Sequence, residues 1–184
     1  MEKNDNSLDI VSVRLVRDRS IMADDPIKTA EDAIRLIGRY FRDFDREVVG
    51  LLCMDTRGKP VNMSVISMGA VESCFVHPRE LFKPAILSNA SFMIMLHNHP
   101  SGDPEPSQPD ITITDRINKL GLMMEIPLLD HIIVGGTMTG ESYYSFAQND
   151  YFNEVPSIEY ADRVEDIDFT ENYQTNKELG GMAI

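Results

Sequence analysis

Three short, almost wholly apolar runs constrain this chain most: "VVGLLCMD", "SFMIML" and "IPLLDHIIVGG". A strand that is apolar at nearly every position is buried on both faces, so the sheet it joins needs a cover on each side. The segments between the runs have helical spacing, which suits that cover. Thr29 opens one helix, with Asp32 three residues on as a capping box, and Ile34, Ile37, Tyr40, Phe41 and Phe44 form its apolar stripe. "HPRELFKPAILSNA" reads as a second helix with Pro78 in its first turn and Pro84 expected to kink or shorten it. Ser107 caps a third, running to about Leu120 and stopped by Gly121. "DIVSVRLVRD" alternates at Val11, Val13 and Leu15 and reads as a strand. "VNMSVISM" alternates beyond the turn "DTRGKP", and "SYYSF" follows a turn at Gly140 as the last strand. No internal repeat interrupts this order, which predicts an α/β or α+β sandwich around one sheet.

With 184 residues and 42% apolar residues, the chain suits one domain with a real core. Residues 1–10 are polar and read as a loose N-terminus, 11–150 as the domain, and 151–184 as an acidic tail. Of the formal net charge of -13, the tail carries eight acids against two bases. A negative chain without a long basic stripe is repelled by phosphate backbones, so direct nucleic-acid binding is disfavoured. The tail is expected to be solvated, with an interaction segment for a basic partner as the alternative. Cys53 and Cys74 read as small buried hydrophobes rather than a disulfide pair. The N-terminus lacks the pattern of a signal peptide, and the apolar runs are too short to cross a bilayer. The expected location is the cytoplasm.

His97 and His99 stand at the exit of "SFMIML". Residues i and i+2 of a strand share a face, so the two imidazoles point the same way. The loop ending at Asp110 can fold back to add a carboxylate. Two histidines and one carboxylate leave a coordination position open on zinc, as catalytic sites do and closed structural sites do not. The competing reading is that Ser107 and Asp110 merely cap a helix and that the histidines are loop polars. Capping and metal binding can also coexist, since the cap would hold the carboxylate in place.

"HNHPSGDPEPSQPD" resembles the JAMM (MPN-plus) metallohydrolase motif: His-x-His, seven residues, Ser, two residues, Asp. From about Val11 to Asn149 the chain resembles the RadC branch of that family, without the helix-hairpin-helix module of many full-length RadC proteins. The resemblance implies a cytidine-deaminase-like α-β-α sandwich around a curled mixed sheet. It implies one zinc ion per chain, held by His97, His99 and Asp110, and hydrolysis of an amide bond, peptide or isopeptide. Glu47 would be the general base that takes a proton from the attacking water and returns it to the leaving nitrogen. Ser107 would stabilise the oxyanion. The partner would be a protein or peptide substrate of open identity, and a homodimer stays open.

Glu47 has a plainer reading, an exposed residue paired with Arg46 or Arg42. Glu72, Glu80 and Asp130 are rival carboxylates, Glu80 better suited to a helix first turn. His77 reads as a residue that helps the chain into its helix. His131 reads as a core histidine or, more sharply, as a partner of the metal site held by Asp130 or a backbone carbonyl. Asn98 stands between the histidines, where isopeptidase members carry Ser or Thr. The alternatives to hydrolysis are a DNA-repair-associated module and an inactive scaffold.

Overall fold

The computed structural model describes residues 10, 12–23, 25–69, 76–136 and 142–154. Strands β1 (Val48–Met54), β2 (Pro60–Met68), β3 (Phe92–Asn98), β4 (Leu128–Val134) and β5 (Tyr143–Ser145) form one sheet in the order β2-β1-β3-β4-β5. β3 and β4 are parallel, and the other neighbours are antiparallel, so the sheet is mixed and open. Every residue of β1 is buried. That burial is the physical content of its unbroken apolar run.

Each face of the sheet has its own core. On one, the helical stretch of α1 (Ala30–Ala33), a π turn (Ile34–Gly38) and α2 (Arg39–Arg42) sets Ala33, Ile34, Ile37 and Phe41 against Val48, Leu52, Leu96 and Ile132. On the other, α3 (Pro78–Leu87) and α4 (Gln108–Met123) set Leu81, Phe82, Ala85 and Ile117 against Val49, Leu51, Met93 and Met95. The result is an α-β-α sandwich, the architecture expected. Thr29 makes the anticipated capping box with Asp32. No helix among the described residues is long and apolar enough to cross a membrane. Cys53 is a free, buried thiol pushed up to about 11 by burial. Cys74, Glu72, Gly140 and the acidic segment beyond Glu154 lie outside the described residues.

Two local expectations need correction. Residues 12–20 form no strand, and Val13 and Leu15 are 70% and 46% exposed. Alternation marks residues that can share a face, but a strand is held only by a neighbour's hydrogen bonds, and none of the sheet's strands takes this segment. Pro84 lies inside α3, which continues past it to Leu87 and stops short of the Ala90 end of the helical pattern. Leu81, Phe82 and Ala85 hold that helix on the sheet, while Pro84 sits on its half-exposed flank.

Gly121 does not stop α4. The helix ends at Met123 in a Schellman arrangement, with Ile126 N–H on the Gly121 carbonyl at 2.8 Å and Glu125 N–H on that of Leu122 at 3.2 Å. Glu125, at φ +55°, takes the left-handed position usually given to glycine. Gly121 serves packing instead: a Cβ there would lie 2.8 Å from the Ile126 carbonyl oxygen.

Candidate metal centre

β3 carries the site. Its odd residues Met93, Met95 and His97 face the α3/α4 layer, and its even residues Ile94, Leu96 and Asn98 face the α1/α2 layer. His97 is buried, and His99 follows just beyond the strand, half buried. α4 begins beside them with Ser107 as N-cap. The Ser107 hydroxyl accepts from Asp110 N–H at 3.3 Å, and the Asp110 carboxylate accepts from Ser107 N–H at 2.8 Å and from the Ser107 hydroxyl at 2.5 Å. Cap and carboxylate are thus one unit, and the cap aims Asp110 at the histidines.

The three side chains converge. His97 Nε2 and His99 Nε2 are 3.0 Å apart, His97 Nε2 is 3.3 Å from Asp110 Oδ1, and His99 Nε2 is 3.5 Å from Asp110 Oδ2. Ligand atoms about 2.0–2.1 Å from a tetrahedral zinc stand roughly 3.3 Å from one another. The donor set therefore fits such an ion in both chemistry and spacing. Electrostatics agree: the Asp110 carboxylate beside it raises the His99 imidazole against the opposing effect of burial, and the nearby charge of Glu47 adds to it. Burial would push the Asp110 carboxyl up, but the His97 and His99 imidazoles beside it, with the Ser107 hydroxyl, hold it well below the usual carboxylate range. This corner of the molecule favours a positive charge among the three groups.

Glu47 immediately precedes β1. Val49 pairs with His97 across the sheet, and Glu47, two residues earlier, continues that face. It lines a narrow cleft together with Met95, His97, Asp110 and His131. The arginines named as its plainer partners are paired elsewhere, Arg46 with Asp45 at 2.8 Å and Arg42 with Asp43 at 3.9 Å. Ser107 is exposed and engaged with Asp110.

The rival carboxylates that the structure describes stand apart. Glu80 pairs with Lys83 in α3, and Asp130 faces away, accepting the Ser145 hydroxyl at 2.6 Å and Ala147 N–H at 2.9 Å. His77 caps α3 by accepting Arg79 N–H at 3.2 Å. His131 does join the site, with Nε2 2.7 Å from His97 Nδ1, but its other partner is Thr114 rather than Asp130. Burial holds its imidazole well below the ordinary histidine value.

Two contributors escaped the sequence reading. Thr114 lies four residues after Asp110, hence on the same helical face, and that spacing was the available signal. Asn98 is a buried polar residue on the back of β3; its amide reaches the backbone beside Glu47. Only the strand's alternation hinted that it must find partners away from the histidines.

The profile of the RadC-like JAB domain matches residues 27–151. The chain belongs to the RadC-like JAB domain family. A UPF0758 protein of Syntrophomonas wolfei is 48% identical over 113 residues, covering 59% of this chain and 48% of that protein. One from Methanococcoides burtonii is 39% identical over 124 residues, covering 66% and 54% respectively. One from Clostridium perfringens is 42% identical over 116 residues, covering 63% and 51%. The chain thus spans about half the length of the curated relatives it matches. The matched RadC-like JAB region contains Glu47, both histidines, Ser107 and Asp110.

Proposed function

We propose that this protein is a zinc-dependent hydrolase of the JAMM type that cleaves an amide bond, peptide or isopeptide, in a protein or peptide substrate. The observation that carries the reading is the triangle of His97, His99 and Asp110, with edges of 3.0 to 3.5 Å and Glu47 on the wall of the same cleft. His97, His99 and Asp110 would hold the ion, one per chain, leaving a position open for water or a carbonyl oxygen. Bound there, zinc supplies Lewis acidity toward both. Glu47 accepts the proton of the attacking water and returns it to the leaving nitrogen, a transfer that needs a carboxylate facing the open position. Ser107 can become a donor to the developing oxyanion once its hydroxyl turns away from the Asp110 carboxylate, to which its single proton is now given.

The testing experiment is the metal content of the purified protein by mass spectrometry, beside His99→Ala. About one zinc per chain in the first and none in the second supports the reading. A protein that carries no zinc and takes up none when it is added overturns it. Glu47→Gln separates binding from chemistry: zinc should remain while hydrolysis of a peptide library is abolished.

A further inference from the structure

The hydrogen bonds behind His97 have a direction. Thr114 Oγ1 lies 2.5 Å from the carbonyl oxygen of Asp110, one helical turn earlier. A carbonyl only accepts, so the single hydroxyl proton of Thr114 is committed there. His131 Nδ1 lies 2.6 Å from the same hydroxyl oxygen and must therefore be the donor to it. A neutral imidazole with its proton on Nδ1 offers a lone pair at Nε2. His131 Nε2 is 2.7 Å from His97 Nδ1, so His97 donates from Nδ1, and its own lone pair stands at Nε2. Nε2 is the atom that faces His99 and Asp110.

We propose that Thr114 and His131 are positioning residues that fix the tautomer of His97, presenting its bare Nε2 to the metal. The assignment rests on the zinc reading above and adds to it how one ligand is prepared. The relay begins at the backbone of Asp110 and ends beside the carboxylate of Asp110. One residue of α4 thereby supplies a ligand and orients another, through β4 and β3. His131 is clamped for the task, buried and stacked at 4.9 Å and 6° on the ring of Phe146. His99 is set independently: its Nδ1 lies 2.7 Å from the Asp103 carbonyl, which again leaves Nε2 bare.

Thr114→Val removes the hydroxyl at nearly constant shape, and Thr114→Ser retains it. Two readouts apply: zinc affinity by competition with a chelator, and the protonated nitrogen of each histidine by long-range proton–nitrogen NMR. In the wild-type protein, with zinc and after its removal, His131 is expected to carry its proton on Nδ1. Thr114→Val is expected to lose that signature and about 10–100-fold in zinc affinity, and Thr114→Ser to keep both. His131 protonated on Nε2 in the wild type overturns the relay, whether or not the valine variant folds. A valine variant with unchanged tautomers and zinc affinity overturns it equally. Wild-type protein that takes up no zinc overturns the metal reading instead, a separate result, since the tautomer of His131 is read without the ion.

Discussion

The side-chain amide of Asn98 grips the chain on both sides of Glu47. Val48 N–H donates to its Oδ1 at 2.8 Å, and its Nδ2 donates to the Arg46 carbonyl at 2.9 Å. The backbone donor at Val48 settles which end of the amide is oxygen, and the NH₂ is then left facing a carbonyl. β3 thus works from both faces at one point: His97 points into the cleft, and Asn98 holds from behind the segment that brings Glu47 to it.

Asn98→Ala is expected to leave the Val48 N–H and the Arg46 carbonyl without their partner, at a loss of about 1–3 kcal/mol in urea unfolding. Zinc content should stay at the wild-type level, because the proposed ligands lie on the other face. With Glu47 no longer held, turnover is expected to fall by about 10²-fold. A variant as stable as the wild type would refute the clamp.

Ser107 and Asp110 share the cap of α4 but only Asp110 is proposed as a ligand, and paired variants should separate the roles. Ser107→Ala loses the acceptor for Asp110 N–H and should cost about 1 kcal/mol of stability while zinc is retained. Asp110→Ala should lose a similar amount of stability and the metal as well. Calorimetry of the metal-free proteins beside zinc analysis of the loaded ones checks both; zinc loss in Ser107→Ala would contradict the assignment.

Which parts of this arrangement were legible beforehand follows from the range of the forces involved. The unbroken apolar runs disclosed β1, β3 and β4 because double-sided burial leaves a mark at every position. The meeting of His97, His99 and Asp110 was legible because strand alternation and an N-cap are local rules. Thr114 and Asn98 were not, because their partners lie across the fold: 17 residues away at His131 and 50 at Val48. Val13 and Leu15 show the converse failure, since a local pattern cannot reveal whether a neighbouring strand exists to pair with it. Gly121 misled for a related reason: a glycine near a helix end resembles a stop, whereas the Ile126 carbonyl that demands it arrives only with the turn after α4.

Gly50, in the centre of β1, predicts a steric test of the first core. A Cβ added there would lie 2.2 Å from Cζ of Phe41, which is wholly buried. The buried ring would have to shift, so Gly50→Ala is expected to destabilise by about 1–3 kcal/mol through overpacking. Phe41→Leu opens space at the contact, so the double variant should be more stable than the sum of the two single losses implies. Strict additivity in urea denaturation would show that the ring and the glycine do not meet.

Asp130 predicts how stability should depend on pH on the face opposite the cleft. Burial pushes its carboxyl up to about 6, against the hydrogen bonds from the Ser145 hydroxyl and Ala147 N–H, which favour the ionised form. Between its unfolded value of 3.8 and about 6, the folded protein binds more protons than the unfolded chain. Stability therefore falls as pH rises through that window, the reverse of the usual salt-bridged aspartate. Two units of difference correspond to about 3 kcal/mol. Asp130→Asn cannot ionise, so the wild type should lose stability relative to this variant by up to that amount between pH 4 and pH 7. The comparison is made by urea unfolding of both proteins at each pH. Parallel curves would mean that Asp130 is no harder to ionise in the fold than in the unfolded chain.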